Sequence, residues 1–292
     1  MNTDKMSSRE LGLILGQQLL GVEDLHYGLW DEELPLNFSN LPVAQQRYTD
    51  MIASALPDPT HNEIHVLDVG CGTGHILSQL NQKGYQVDGV IPSKFLGNMV
   101  KDRIAGSSSS NSKVFEVKFE DFPEQIYQQY YDVVLFSESF QYIKMKYSFP
   151  KIEKILKPGG LIVICDFFKT ENTGDGKPGD KTFGGGHKLS DFYERVENSP
   201  FAIVRDEDIT KNVSPNIELL DKFLMYQLRP AGETLRQYIA ENKPLLSKIG
   251  SFFFKKKFDK LTHKYFSGHR SKEVFEHYKS YHLVVLQLVK PV

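Results

Sequence analysis

The chain has 292 residues, a net charge of -2, 40% hydrophobic residues and 25% charged residues, as expected for one large globular domain or a domain carrying an insertion. A chain so close to neutral has no general attraction to nucleic acid or to an anionic membrane. Its two cysteines provide neither a disulfide framework nor a metal-ligand pattern, so no metal is expected and a reducing, cytoplasmic setting is the default.

The predicted elements begin with helices in residues 1–60. Neither a signal peptide nor a membrane span is expected, because the first ten residues are polar and no apolar run is long enough. From Ile64 onward strand and helix patterns alternate, which indicates an α/β fold with a mostly parallel sheet. The predicted strands are 64–70, 85–91, 113–119, 131–137 and 160–168, with helices near 74–83, 93–104, 123–130 and 148–157. A helix stop and turn at Lys157-Pro158-Gly159-Gly160 precedes the fifth strand.

The C-terminal third is predicted to hold two last strands, at 201–210 and 281–290, which complete a seven-stranded sheet with an antiparallel edge. Between them, residues 212–280 form a helical insertion, because apolar residues recur near helical spacing at Leu219, Leu220, Phe223, Leu224 and Leu228. These helices cover a sheet edge, form a cap over a ligand, or do both. The expected division is an N-terminal segment at 1–60, a core at 61–211 and 281–292, and the insertion at 212–280.

The sequence between Ile64 and Leu77 reads as an apolar strand, an acid, three alternate glycines and the start of a helix. Glycine permits a positive φ and lets backbone amides approach a ligand, and the helix that follows directs its free N–H groups toward the crevice above the strand ends. The spacing is G-x-G-x-G at Gly70, Gly72 and Gly74. A dinucleotide site would require glycine where His75 stands, which disfavours a nicotinamide or flavin cofactor.

Together with Asp68 ahead of the glycines, this segment resembles the first motif of the class I S-adenosylmethionine (SAM) dependent methyltransferases. Four further segments between residues 24 and 170 resemble the same family. The resemblance implies a doubly wound, Rossmann-like sheet with SAM as cofactor and a methyl transfer reaction. It also implies SAM contacts from the first motif: Asp68, Gly70, Cys71, Gly72 and Gly74.

The stretch from Leu25 to Trp30 resembles an H-Y-G-x-W element found ahead of the core in small-molecule and lipid methyltransferases. The resemblance implies that Tyr27 lies over the methionine end of SAM. The alternative is an aromatic residue that only holds the N-terminal helices in place.

The segment Val87–Ser93 resembles the second strand and its end. Ile91 stands where the family usually has Asp or Glu, whose carboxylate accepts hydrogen bonds from the ribose hydroxyls. The absence of this carboxylate removes about 1–3 kcal/mol of binding free energy for the ribose, unless backbone groups near Pro92 and Ser93 compensate. Asp88 lies inside the strand and is not expected to substitute.

The segment Phe115–Phe122 resembles the third strand and the turn that contacts adenine. One alignment places Lys118 at the position of the adenine-binding acid and another places Glu120 there. We favour the second, which makes Phe119 and Glu120 the adenine contacts, while two exposed acids at a strand end are the alternative.

The segment Tyr131–Ile143 resembles the fourth strand, whose end lies beside the transferable methyl group. The resemblance implies a backbone contact from Ser137 to SAM, with Glu138 and Ser139 facing the acceptor. Several relatives carry a Glu-His pair where this chain has Gln141-Tyr142, so the catalytic role of that pair does not transfer.

Methyl transfer from a sulfonium is an in-line displacement, and the protein's main task is to align the reacting atoms. A base is needed only for a neutral hydroxyl or a protonated amine. The candidates are Glu138, His187 and Tyr142. His187 follows the glycine-rich stretch Thr182–Gly186, which predicts either a lid hinge or an ordinary surface loop.

The stretch Ser251–Leu261 combines aromatic residues with a basic cluster. As a helix it would place Phe254, Phe258, Leu261 and Tyr265 on one face. It is either an interfacial helix in peripheral contact with a membrane or a cap helix with a solvated basic face. Its aromatic residues point to an apolar acceptor in both cases.

The sequence therefore predicts a SAM-dependent methyltransferase for a small, hydrophobic or lipid-like acceptor, with no nucleic-acid partner. The alternative is a methyltransferase-like binding or regulatory protein without turnover, motivated by Ile91 and by the missing Glu-His pair.

Overall fold

The computed structural model describes residues 7–23, 26–106, 111–243 and 269–289. Seven strands form its sheet: β1 His65–Val69, β2 Gln86–Val90, β3 Val114–Phe115, β4 Tyr131–Ser137, β5 Leu156–Lys169, β6 Phe201–Asp208 and β7 Lys279–Leu288. Their order is β3-β2-β1-β4-β5-β7-β6. The strands from β1 to β5 pair in parallel, and β7 is antiparallel to both β5 and β6. The predicted α/β sheet is confirmed, although the antiparallel strand lies inside the sheet and not at its edge.

Helices cover both faces of this sheet. They are α1 Ser8–Leu20, α2 Leu41–Ser54, α3 His75–Gln82, α4 Lys94–Ala105, α5 Met145–Ile155, α6 Leu189–Glu197, α7 Thr210–Val213, α8 Pro215–Phe223, α9 Arg229–Asn242 and α10 Lys272–Tyr278. One face packs against α2, α3, α4, α8 and α10, and the other against α5, α6 and the segment between β3 and β4. The strand order reverses between β1 and β4, and ligands of doubly wound sheets bind at such a point.

The strands are apolar on both sides because both faces are covered. In β4, Val133 and Leu135 enter one core cluster while Val134 and Phe136 enter the other. Because both faces of the strand are buried, its position could be predicted from a continuous apolar run in the sequence.

The prediction of a helix at 123–130 is wrong. The backbone N–H groups of Ile126 and Tyr127 form only turn bonds, to Pro123 and Glu124. Those of Gln129 and Tyr130 donate to the carbonyl oxygens of Lys154 and Ile155, at the end of α5. Pairing with a neighbouring element therefore replaces the local bonds of a helix.

The turn predicted at 157–160 does not precede the fifth strand but lies inside it. β5 already begins at Leu156, which pairs with Tyr131, and the register then shifts so that Leu161 pairs with Val133. The intervening residues form an irregularity inside the strand, at which Gly159 has φ of +77°.

Within the described residues, the insertion contains the end of α7, α8, a π-helical turn at Leu224–Leu228, α9 and α10. α8 buries Leu219 against Trp30 and Leu41. The stretch Ser251–Leu261 and Tyr265 lie outside the described residues. Within the described ranges, no helix is both long enough and apolar enough to cross a bilayer.

Candidate cofactor and acceptor site

The glycine turn after β1 has the conformation that its sequence requires. Gly70, Gly72 and Gly74 all have positive φ, of 82°, 56° and 78°. A Cβ on Gly70 would lie 2.5 Å from the Cβ of Ser139, and one on Gly74 would lie 2.9 Å from Val100. A Cβ on Gly72 would have no protein atom within 4 Å. The turn is therefore packed against the protein at its two ends and open at its centre, as a close backbone approach to a ligand requires.

The turn is anchored to the sheet beside it. The N–H groups of Gly70 and Cys71 both donate to the Val90 carbonyl, at 2.7 and 3.3 Å. Asp68 is only 2% exposed and lies between Gly89 of β2 and Leu135 of β4. Burial, and then the nearby Asp68 carboxylate, raise the pKa of the Cys71 thiol, so this cysteine is a neutral packing residue. α3 starts directly after the turn without a side-chain cap.

The end of β2 carries no acid of its own. Ile91 is 7% exposed within the core, and its N–H donates to the Phe115 carbonyl at 3.0 Å, while Pro92 is exposed. Asp88 accepts from the N–H of Lys113 and from the Tyr131 hydroxyl, at 2.8 and 2.9 Å. It therefore connects β2 to Lys113, just before β3, and to Tyr131 of β4, and does not replace the missing carboxylate.

The predicted adenine contacts lie on a short 3₁₀ turn after β3. The Phe119 ring is 3% exposed and packs edge-on against Phe136, with ring centroids 5.8 Å apart. Glu120 is half-buried on the same turn. Glu116, four residues earlier, pairs with Lys101 of α4. Contact between adenine and Phe119 or Glu120 stays a prediction.

The end of β4 brings two of the predicted residues together. Glu138 has φ of +54°, a conformation that costs energy outside glycine, and its N–H donates to the Cys165 carbonyl at 2.9 Å. Its Oε1 accepts from the backbone N–H of Tyr27 at 2.7 Å and from the Tyr281 hydroxyl at 3.1 Å. Through Glu138, the N-terminal segment is thus connected directly to the end of β4 at Ser137.

Two buried tyrosines complete this network, and no sequence pattern distinguishes them from other buried tyrosines. The hydroxyls of Tyr48, on α2, and Tyr281, on β7, lie 2.9 Å apart. Tyr48 also donates to the Cys165 carbonyl at 3.2 Å and lies 3.3 Å from the Ser137 hydroxyl. Burial raises the pKa of both phenols, so both remain neutral donors at physiological pH.

The other two base candidates lie in different surroundings. His187 Nε2 lies 3.1 Å from the Phe140 carbonyl and 2.9 Å from the Ile143 carbonyl. Because carbonyl oxygens only accept, this nitrogen carries a proton and cannot act as a base. Tyr142 is 72% exposed. Of the three candidates, only Glu138 joins the network at the end of β4.

A second buried carboxyl group supports the turn after β4. Asp166, fully buried on β5, accepts from the Gln141 backbone and side chain at 2.9 and 3.2 Å and from the Phe167 N–H at 2.8 Å. Burial raises its pKa to about 8. Burial likewise lowers the pKa of Lys279 to about 8, and its ammonium donates to the Gly185 carbonyl at 2.6 Å.

Aromatic rings from separate parts of the chain meet above this end of the sheet. Tyr27 packs edge-on against Phe275 and Tyr281, with centroids 6.3 and 5.9 Å apart. Phe275 also contacts Phe167 and Phe183, at 6.3 and 5.2 Å. We call these five residues the aromatic cluster. Glu138 joins it through hydrogen bonds to two of its members.

An asparagine of the insertion holds the Tyr27 segment in place. Asn216 Oδ1 accepts from the Gly28 N–H and the Trp30 indole at 2.9 and 3.0 Å, and its Nδ2 donates to the carbonyls of Gly28 and Val213, both at 2.7 Å. A Cβ on Gly28 would lie 2.5 Å from that of Ala44. The H-Y-G-x-W element therefore contains glycine because it passes directly over α2.

Comparisons with known proteins agree with this geometry. Residues 60–211 match the family described as "Methyltransferase domain". O-methyltransferase resE of Aspergillus sclerotiorum is 24% identical over an alignment of 249 residues, and the match covers 78% of this chain and 87% of that protein.

Two solved structures show the same fold. Geranyl diphosphate C-methyltransferase from Streptomyces coelicolor, in complex with Mg2+, a thiolodiphosphate analogue and S-adenosyl-L-homocysteine, has a TM-score of 0.68 at 14% identity, covering 98% of this chain and 95% of that one. The cyclopropane synthase MmaA2 from Mycobacterium tuberculosis has a TM-score of 0.63 at 15% identity, covering 90% and 88%.

Proposed function

Because the chain belongs to the class I SAM-dependent methyltransferase family, we propose that it transfers the methyl group of SAM to a small, hydrophobic or lipid-like acceptor. The choice of acceptor rests on the aromatic cluster beside Glu138 at the end of β4. Aromatic rings contribute a large apolar area with only a few polar groups, which suits a hydrophobic ligand.

The residues at the strand ends fit SAM. The positive-φ turn at Gly70, Gly72 and Gly74 leaves room for a ligand only at its centre, and the start of α3 has no side-chain cap that would compete for its N–H groups. Bound SAM supplies an electrophilic methyl group on a sulfonium. Asp68 is buried on β1 just before the turn, and the Tyr27 segment is bonded to Glu138 beyond the end of β4.

We assign the acceptor side to Glu138. Its carboxylate is held by Tyr27 and Tyr281, so it stays in place while an acceptor binds. For a hydroxyl acceptor it would receive the proton, and for an acceptor that becomes cationic it would stabilise the charge. His187 holds the loop before α6 to the turn after β4, and we assign it no proton transfer.

Two of the fold neighbours and the fungal relative are in line with a lipid-like or hydroxyl acceptor. The names of two fold neighbours refer to geranyl diphosphate and to a cyclopropane synthase, and that of the fungal relative to O-methylation. We place the acceptor between the aromatic cluster and α8, which lies against the Tyr27 segment through Asn216.

The test measures the rate at which the tritiated methyl group of SAM is transferred to 4-alkylphenols of increasing chain length. Sarcosine serves as a polar control. Each buried methylene contributes about 0.8 kcal/mol, so kcat/KM is expected to rise about fourfold per carbon until the site is full. A rate independent of chain length, or a preference for sarcosine, would contradict the apolar acceptor. Binding of S-adenosylhomocysteine without transfer to any phenol would favour the binding-protein alternative.

A further inference from the structure

The cofactor site lacks a carboxylate at the position where Rossmann-type sheets usually provide one. In such sheets an acid at the end of the second strand, about 20 residues after the glycine turn, binds the ribose hydroxyls. Here that place is held by Ile91, whose side chain is in the core. Asp88 is committed to Lys113 and Tyr131, so β2 itself offers no ribose ligand.

A carboxylate from a distant part of the chain reaches this place. Glu10, in the first turn of α1, accepts a hydrogen bond from the hydroxyl of Ser93. Ser93 is the N-cap of α4 and lies two residues after Ile91, and its hydroxyl also accepts from the Leu96 N–H at 3.0 Å. The side chain of Glu10 therefore lies at the corner between the end of β2 and the start of α4.

The far end of α1 is attached to the glycine turn. Arg103 of α4 donates from Nε to the Thr73 carbonyl at 3.2 Å and pairs with the Glu23 carboxylate at 2.9 Å. The Glu23 carbonyl accepts from the Gln17 side chain and, at 3.5 Å, from the Thr73 hydroxyl. Between these two attachments Leu13 packs against the core cluster of α3 and α4. Contacts near both of its ends thus attach α1 to the start of α4 and to the glycine turn.

We propose that Glu10 supplies the ribose-binding carboxylate that Ile91 lacks, which makes α1 a part of the SAM site. The inference rests on the proposed function, because it concerns the same cofactor. A carboxylate has about four lone-pair positions, and the bonds from Ser93 and from the Ser7 N–H use two of them. These two bonds also lower the pKa of Glu10, which keeps it ionised at neutral pH.

A purely local role is the competing explanation. Ser7 and Glu10 form a capping box at the start of α1, with Ser7 Oγ accepting from the Glu10 N–H at 3.3 Å. The experiment must therefore separate the charge of Glu10 from its contribution to the helix. Glutamine serves equally well at this position of a capping box, so Glu10→Gln removes the charge and keeps the cap. Ser7→Ala is the matched control, because it weakens the cap and keeps the carboxylate.

The readout is the ratio of two dissociation constants, measured by calorimetry on the full chain. One ligand is S-adenosylhomocysteine and the other is its analogue without the 2′- and 3′-hydroxyls. The original chain is expected to prefer the hydroxylated ligand by about ten- to a hundredfold. Glu10→Gln is expected to lose this preference, and Ser7→Ala is expected to keep it.

An unchanged preference in Glu10→Gln would overturn the inference, and so would an equal loss of preference in Ser7→Ala. Absence of S-adenosylhomocysteine binding by the folded original chain would instead refute the proposed function, and the inference with it.

Discussion

Replacing Asn216 by alanine is expected to lower the free energy of unfolding by about 2–4 kcal/mol. The side chain makes four hydrogen bonds with buried partners, all between 2.7 and 3.0 Å. A buried hydrogen bond contributes about 0.5–1.5 kcal/mol net, so four amount to about 2–6 kcal/mol. Water that enters the space left by the side chain recovers part of the loss, which favours the lower half of that range.

Urea unfolding followed by circular dichroism measures this change, with Asn212→Ala as the matched control. Asn212 Nδ2 makes a single bond, to the Trp30 carbonyl at 2.9 Å, so its loss is expected to cost about 0.5–1.5 kcal/mol. Because Asn216 also fixes the segment that carries Tyr27, its alanine variant is expected to bind S-adenosylhomocysteine more weakly than the control does. Equal stability losses in the two variants would refute the reasoning.

Three further predictions concern the site. Glu138→Gln is expected to lower kcat in the labelled-SAM assay about a hundredfold or more with a hydroxyl acceptor, and a kcat near that of the original chain would exclude Glu138 as the base. Since burial raises the pKa of Asp166 to about 8, its native carboxyl keeps a proton that the unfolded chain releases near pH 4. The free energy of unfolding should therefore fall between about pH 4 and 8, and Asp166→Asn should flatten this slope in urea titrations; equal slopes would contradict the assignment. Gly70→Ala is expected to lower Tm more than Gly72→Ala, because only the first adds a clash with Ser139, at 2.5 Å, to the strain of a positive φ; equal Tm values would show that the turn relaxes.

The sheet was predictable because its signals are local. A continuous run of apolar residues identifies β4 whatever its partners are, and an acid followed by three alternate glycines identifies the turn after β1. Both are patterns of a few adjacent residues that depend on backbone geometry and burial. The same local reasoning failed at 123–130, where bonds to the end of α5 replace those of a helix.

The site was predictable only where one short segment determined it. Glu138 could be selected because it follows a strand, but its partners Tyr48 and Tyr281 are far away in the sequence and resemble any buried tyrosine. Asn216 gave no signal, because its role depends on how the insertion packs against Gly28. Glu10 was equally hidden, since a serine and a glutamate three residues apart indicate only a helix start.

The most direct test of the account is calorimetric titration of the folded chain with S-adenosylhomocysteine, with NAD as the control. We expect one site per chain for S-adenosylhomocysteine, with micromolar affinity, and no binding of NAD. Binding of NAD alone, or of neither ligand, would contradict a SAM site at the glycine turn after β1.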